Sequence, residues 1–285
     1  KITPINKESR GKISLTFNFR DDKADDINTF FPITLQNSRS CAAVVVGVEG
    51  YSHLPKAIYA TNDAKVAKQY FLKVLNMSQV NVIALSNQSA TLERLANILK
   101  PGGELSLKGK ANVIFYFSGL SVCDPGGREP YIMLYDSKDT DPQGTGYSVK
   151  EIVRNLHSAV PGCVICIFET SFAGLDRAGK PIGESAKEPL PYCILPAVAD
   201  ERTCLIYAAS GKAYNPVVER SSHGMLTHYL LSAIQEYAKN RNALDMKNLF
   251  NYISRGMDQE AQRAGITDLQ PRMDCVNRDG ILILK

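Results

Sequence analysis

The sequence predicts an α/β fold in which a mostly parallel β-sheet is covered by helices on both sides. From residue 41 onward, apolar runs rich in β-branched residues alternate with amphipathic helical patterns, as is typical of parallel sheets. Several runs are apolar throughout, which indicates strands buried on both faces. The clearest is 162–174, because it ends in a small-residue turn that carries Ser171. Catalytic groups gather at the carboxyl ends of such strands, so Ser171 lies where this fold places a nucleophile.

Strands and helices are predicted in alternation along most of the chain. The predicted strands are 41–48, 80–85, 111–117, 162–171, 204–210 and 280–284, with a shorter arm at 131–136. The predicted helices are 64–74, 89–100, 148–158, 224–239 and 246–264. We expect Asn62, Asp63 and Ala64 to cap the first helix. Residues 175–199 are polar and contain several prolines, which predicts a long surface loop.

Residues 1–40 differ in pattern from the rest of the chain. The segment 13–19 alternates apolar and polar residues, which predicts a strand with one solvent-facing side, and 21–26 is an acidic turn without EF-hand spacing. We therefore divide the chain into an N-terminal segment, 1–40, and an α/β domain, 41–285. The N-terminal segment is interpreted as a linker, an added edge strand or the tail of a preceding domain. Because the chain starts at Lys1 rather than Met, we expect it to be part of a longer multidomain protein.

Composition and motifs disfavour several classes of partner. The net charge of +4, from 33 basic and 29 acidic residues, is too small to indicate a nucleic-acid-binding face. No apolar stretch approaches the roughly 20 residues that a membrane-spanning helix needs. Nucleotide binding is disfavoured, because no glycine-rich fingerprint follows the first strand and Gly211-Lys212-Ala213 is not a P-loop. No exposed apolar edge strand can be identified, so we expect a monomer.

The seven cysteines show no metal-binding pattern. Cys163 and Cys166 are two residues apart, but they lie on a strand, where alternation directs them to opposite faces. We therefore expect reduced cysteines that serve as small core residues. Such cysteines favour a reducing compartment such as the cytoplasm. No metal and no cofactor are predicted.

Several short segments, taken in order, indicate a family. They are 43–48 with Tyr51, 62–64, 115–119, 131–136, 169–174, 208–210, 223–231, 270–273 and 279–284. In this order they resemble the motifs of caspase-like domains (peptidase clan CD, family C14), in particular the bacterial, metacaspase-like branch. The resemblance covers about 41–285. It implies a three-layer α/β/α sandwich around a mostly parallel six-stranded sheet, and the chemistry of a cysteine endopeptidase.

The two catalytic positions of that family are both substituted here. Phe115-Tyr116-Phe117-Ser118-Gly119 resembles the strand before the catalytic histidine, but the next residue is Leu120. Glu169-Thr170-Ser171-Phe172-Ala173-Gly174 resembles the motif around the catalytic cysteine, but Ser171 stands at the cysteine position. Leucine cannot accept a proton, and a serine without a base is a poor nucleophile. The resemblance therefore predicts a catalytically inactive domain that acts as a scaffold, a regulatory module or a peptide-binding module.

A degenerate pocket is predicted around these two positions. Glu169 replaces a family aspartate that helps to bind a basic peptide side chain, so an acidic pocket for arginine or lysine is one expectation. A buried carboxylate satisfied by backbone amides is the other. The resemblance places the backbone N–H groups of Ser121 and Ser171 at the oxyanion-hole positions. The expected partner is accordingly a peptide or protein with a basic residue.

An active hydrolase is the alternative. Ser171 or Cys123, which lies three residues past Leu120, would then act with an unusual base such as His53 and cleave after Arg or Lys. In the predicted loop, Arg177, Lys180 and Lys187 offer sites for cleavage by another protease. His53 follows the first predicted strand and so belongs to the same edge of the sheet.

Overall fold

The computed structural model describes residues 26–32, 40–182, 193, 195–196, 200–266, 268–278 and the backbone of 282–284. The strand predicted at 13–19 and most of the acidic turn lie outside the described residues. Lys187, in the predicted loop, also lies outside them.

Thirteen strands and six helices are present in the described residues. The strands are β1 Cys41–Gly47, β2 Val82–Ser86, β3 Asn112–Ser118, β4 Ser121–Cys123, β5 Pro130–Ile132, β6 Tyr147–Ser148, β7 Val164–Ser171, β8 Thr203–Ala209, β9 Val217–Val218, β10 His223–Gly224, β11 Leu244–Asp245, β12 Arg272–Cys275 and β13 Leu282–Leu284. The helices are α1 Ala60–Lys73, α2 Leu92–Leu99, α3 Pro142–Thr145, α4 Val149–Ala159, α5 Met225–Lys239 and α6 Met246–Arg263. Short 3₁₀ turns lie at Gln79–Asn81, Asn87–Ser89, Ser106–Lys108 and Glu219–Ser221.

The main sheet has six strands in the order β2-β1-β3-β7-β8-β12. All neighbours are parallel except β8 and β12, which are antiparallel. This confirms the predicted mostly parallel six-stranded sheet. The sixth strand, β12, was not predicted, because it alternates half-buried and buried residues instead of forming an apolar run. The predicted last strand exists as β13, but it pairs with β11 outside this sheet.

Helices cover both faces of the sheet. Alternate residues of β1 belong to two different apolar cores: Ala43 and Val45 pack with α1, α5 and α6, whereas Ala42, Val44 and Val46 pack with α2 and α4. This division follows from the alternation of side chains along a strand. The three-layer α/β/α sandwich is therefore confirmed.

The chain reverses its direction across the sheet between β1 and β3. From β1 the connection through α1 leads to β2, and the later strands β3, β7 and β8 follow on the opposite side. In open α/β sheets, the crevice outside the carboxyl ends at such a switch point is the usual ligand site. Here α1 closes tightly over the end of β1, because a Cβ on Gly47 would lie 2.5 Å from Ala64 Cβ. The first turn of α1 and the end of β3 therefore form the walls of the crevice.

The predicted cap of the first helix is wrong. The first helix starts at Ala60, so Asn62 and Asp63 lie in its first turn and do not cap it. The N-terminal turn is held instead by Glu49, whose Oε2 accepts a hydrogen bond from Thr61 Oγ1 at 2.6 Å. The predicted surface loop begins with a β-hairpin over 174–182, and two side chains of that hairpin, Arg177 and Ile182, are buried.

Residues 26–32 pack against the α/β domain. Ile27 belongs to the core on the α1 side, and Phe31 contacts the Tyr70 ring edge-on, with 5.2 Å between the ring centroids. Gln235 on α5 donates a hydrogen bond to the Phe30 carbonyl at 2.9 Å. The domain boundary at residue 40 stays a prediction, but these seven residues are in contact with the domain.

Candidate functional site

Ser171 ends β7 at the carboxyl edge of the sheet. The residue is 3% exposed. Its Oγ donates a hydrogen bond to the Ala213 carbonyl at 2.5 Å and accepts one from the Ala173 N–H at 3.3 Å. A backbone carbonyl is not a base at neutral pH, so this contact holds the hydroxyl proton without activating the oxygen.

Leu120 lies inside a small apolar cluster. The residue is 1% exposed and packs in one cluster with Met133 and Ile182. Its backbone N–H donates to the Tyr51 hydroxyl at 2.7 Å. The preceding residue must be glycine, since a Cβ on Gly119 would lie 2.5 Å from that hydroxyl. The position predicted for a catalytic histidine is therefore a packing position in this chain.

Ser121 and His53 have different environments. Ser121 Oγ donates to the Ser171 carbonyl at 2.8 Å and is 2.8 Å from Thr170 Oγ1, so it fastens the end of β7 to β4. His53 is exposed in the loop after β1. Among the hydrogen bonds of the described residues, none joins His53 to Ser171.

Cys123 forms a disulfide with Cys193, with 5.4 Å between the two Cα atoms. The expectation that all seven cysteines are reduced is wrong for this pair, while Cys41, Cys163, Cys166, Cys204 and Cys275 are free. Sequence spacing gave no indication of the bond, because it joins residues 70 positions apart. Such bonds are typical of oxidising compartments. A thiolate at Cys123 would first require reduction of this bond.

We expect the disulfide to stabilise the fold. The double variant Cys123→Ala/Cys193→Ala should lose about 2–4 kcal/mol of unfolding free energy, because the loop of 70 residues is then open in the unfolded chain. Urea denaturation with and without a reductant measures this. Reduction should lower the midpoint of the unmodified chain and leave that of the double variant unchanged. Equal midpoints for the oxidised and reduced chain would contradict the expectation.

Glu169 is a fully buried carboxylate beneath Ser171. Its Oε2 accepts hydrogen bonds from the Thr227 N–H and, at 2.5 Å, from Thr227 Oγ1, while Oε1 accepts from Asn215 Nδ2. Thr227 is in the first turn of α5, whose N-cap Gly224 has no side chain. Glu169 therefore supplies the helix cap from a neighbouring strand. Burial and the charge of Asp63 raise the pKa of Glu169 above its ordinary value.

Asp63 is the second fully buried carboxylate. Its Oδ1 accepts from His223 Nδ1 at 2.8 Å and from the Gly224 N–H at 3.0 Å. Its Oδ2 accepts from Ser118 Oγ at 2.8 Å and from Arg177 Nη2 at 2.8 Å. Burial acts to raise the pKa of Asp63, but the Arg177 charge and the hydrogen bond from His223 outweigh it, so this pKa lies below its usual value.

Arg177 brings a buried positive charge to these carboxylates. The residue is 6% exposed although it lies on the 174–182 hairpin. Nη1 donates to the Ile58 carbonyl at 2.6 Å, and Nη2 donates to Asp63 and, at 2.6 Å, to Ser118 Oγ. Its Nε has no hydrogen-bond partner among the described residues. The chain's own arginine is thus paired with Asp63, whereas Glu169 is held by Thr227 and Asn215.

Comparison with solved structures identifies the fold. The Drosophila initiator caspase Dronc is similar with a TM-score of 0.52 and 11% identity, over 86% of this chain and 83% of Dronc. Caspase-1 from Spodoptera frugiperda is similar with a TM-score of 0.53 and 10% identity, over 88% and 91% of the two chains. The fold is caspase-like. A Geobacter sulfurreducens protein is also similar, with a TM-score of 0.55 and 12% identity over 82% and 92%.

Sequence comparisons give no match to this caspase-like chain. No family model matches it, and no curated protein does. Identities of 10–12% to the solved structures establish the fold alone. The chemistry of the site therefore has to be argued from the contacts of its own residues.

Sequence reasoning placed Ser171, Leu120 and Glu169 at one edge of the caspase-like sheet, but it missed Asp63 and Arg177 as partners. A signal for Asp63 was present: the residue lies on the buried face of α1, where a charged side chain is unusual. For Arg177 we find no such signal, because it is one of several charged residues in a polar segment.

The described residues show neither a metal-binding cluster nor a membrane-spanning helix. Across the described ranges, no group of three or more His, Cys, Asp or Glu side chains could hold a metal ion. No helix of the described residues is long and apolar enough to cross a membrane.

Proposed function

We propose that this chain is a catalytically inactive caspase-like domain that acts as a scaffold or regulatory module and recognises a basic side chain of a partner. The observation that carries the proposal is the Ser171 hydroxyl, whose proton is directed to the Ala213 carbonyl at 2.5 Å. Hydrolysis through Ser171 needs a base that removes this proton and later returns it. Leu120, buried among apolar side chains, offers none.

The finer assignments also belong to this proposal. We assign the domain to the metacaspase-like, bacterial branch because of the ordered sequence motifs, and we expect it to be a monomer. Two buried acidic side chains, Asp63 and Glu169, support recognition of a positive charge. Arg177 already pairs with Asp63 from within the chain, which favours a regulated contact over an open peptide site.

Peptide reporters with Arg, Lys or Asp before the scissile bond test the absence of catalysis. We expect no turnover above that of the Ser171→Ala variant, and no labelling of Ser171 by a fluorophosphonate probe. The assay should be repeated with reductant, because reduction frees the Cys123 thiol. An active caspase in the same buffer shows that the reporters and conditions support cleavage.

Turnover that is lost in Ser171→Ala or in Cys123→Ala would overturn the proposal in favour of an active hydrolase. Alkylation of Cys123 after reduction, without turnover, is consistent with an inactive domain that carries an accessible thiol.

A further inference from the structure

Two free cysteines face each other at one edge of the main sheet. Cys204 on β8 and Cys275 on β12 are directly opposite in the antiparallel register. Opposite residues of antiparallel strands have Cα atoms about 4.5 or 5.5 Å apart, and disulfides span Cα separations of about 4.4–6.8 Å. Both side chains belong to the apolar core on the side of α5 and α6. The backbone therefore already has the geometry that a disulfide needs.

The other free cysteines are placed differently. Cys163 precedes β7, which β8 separates from β12, and two strand spacings of about 9–10 Å exceed the span of a disulfide. Cys204 is opposite Ile165, so Cys163 is offset from it by two residues, or about 6–7 Å along the strand. The remaining free cysteines, on β1 and on the other face of β7, are Cys41 and Cys166. Among the free cysteines, the pairing geometry thus favours Cys204 and Cys275.

Cys275 is the more reactive member of this pair. It ends edge strand β12 and is 7% exposed, whereas Cys204 is fully buried. The Cys204 thiol donates a hydrogen bond to the Cys275 sulfur. This bond and the charge of Arg278 lower the pKa of Cys275, although burial opposes them, while the same bond raises the pKa of Cys204. Arg278 Nε donates to the Cys275 carbonyl at 3.1 Å, which keeps the guanidinium near the sulfur.

We propose that Cys204 and Cys275 form a redox-active dithiol, which a hydroperoxide oxidises to a disulfide that fastens β12 to β8. The Cys275 thiolate attacks one peroxide oxygen, the O–O bond breaks, and the leaving oxygen takes up a proton as water or an alcohol. Cys204 then attacks the sulfur of the Cys275 sulfenic acid, and the hydroxyl group leaves with the Cys204 proton as water. The two thiols lose two electrons and two protons, which the peroxide gains.

The dithiol lies away from the proposed inactive site. Cys204 is at the amino end of β8, about 16 Å along the strand from Ala209, which is opposite Ser171. The inference is therefore independent of the proposed function. Strand β12 has only one neighbour in the sheet, so a covalent bond to β8 would secure an edge that four residues otherwise hold.

Titration of the folded, unmodified chain with hydrogen peroxide tests the proposal. Free thiols should fall from five to three. Digestion without reductant, followed by mass spectrometry, should identify peptides joined at Cys204 and Cys275. A different linkage, oxidation of Cys41 or Cys163 before Cys275, or no loss of thiols from the folded chain would overturn the proposal. This measurement needs no variant, so it holds even if a substituted chain does not fold.

Two variants separate the roles of the cysteines. In Cys204→Ser, oxidation of Cys275 should stop at the sulfenic acid, which dimedone labels. In Cys275→Ser, both the label and the loss of thiols should be absent. Cys163→Ser is the matched control, because Cys163 is more exposed than Cys275 but burial raises its pKa. Loss of the linkage in this control, or labelling of Cys204 in Cys275→Ser, would contradict the assigned roles.

The melting temperature tests whether the bond fastens the edge strand. After peroxide treatment the unmodified chain should melt about 4–8 °C higher, because a long loop is then closed in the unfolded chain. Cys275→Ser should show no rise under the same treatment. An unchanged melting temperature in a chain whose Cys204–Cys275 linkage is complete would overturn the proposed effect on β12.

Discussion

Asp63→Ala should lower the free energy of unfolding by about 3–5 kcal/mol, which is the range for breaking a buried ion pair by removing one partner. The substitution leaves the Arg177 guanidinium buried without its counter-charge. It also removes the acceptor of His223 and of the Gly224 N–H. Urea denaturation followed by circular dichroism measures the change.

Two further variants make the Asp63 result specific. Asp200→Ala removes a surface partner of Arg202 and should leave the midpoint almost unchanged. The double variant Asp63→Asn/Arg177→Met should recover part of the loss, because no unpaired charge then remains in the interior. The pair would not act as a unit if the double variant lost more unfolding free energy than the two single variants lose in total.

Glu169→Ala should lower the free energy of unfolding by about 3–5 kcal/mol. The substitution leaves a cavity and at least two buried donors, from Thr227 and Asn215, without an acceptor. Glu169→Gln should lower the free energy of unfolding much less. The glutamine oxygen can accept from the Thr227 N–H, and the Asn215 Oδ1, which has no partner among the described residues, can accept from the glutamine amide after a flip.

The two Glu169 variants should also change the pH dependence of the free energy of unfolding. The pKa of Glu169 is raised in the folded chain, so its contribution to stability is complete below the unfolded value of 4.5 and is lost as the pH rises through the folded value. Glu169→Gln should remove this decline. The pKa of Asp63 is lowered in the folded chain. Its contribution to stability is therefore present above pH 3.8, its value in the unfolded chain, and is lost as the pH falls through the folded pKa. An unchanged slope above pH 4.5 in Glu169→Gln would contradict the assignment.

Much of the fold was predictable from the sequence, because strands that are buried on both faces leave long apolar runs. The strands at β1, β3, β7 and β8 and the helices α4, α5 and α6 were all predicted within a few residues. Edge strand β12 was missed since Arg272 and Asp274 give it a mixed pattern, which is normal at the edge of a sheet.

The site was less predictable than the fold. Positions on the strands, such as Ser171, follow from local pattern and from resemblance to motifs. The pairing of Arg177 with Asp63 joins residues 114 positions apart, and the disulfide joins residues 70 apart. Such contacts depend on how the hairpin and the following segment fold back over the sheet, and no local pattern encodes this.

Ile182 packs into the apolar cluster that contains Leu120. This contact makes position 120 unfavourable for a histidine. An imidazole at 120 would enter an apolar environment that disfavours its charged form, and its polar atoms would need partners that this cluster does not supply. A Leu120→His substitution would therefore cost stability, and room for a hydrated imidazole would require displacement of the hairpin. In this sense the packing of one isoleucine makes position 120 unfavourable for any ionisable side chain.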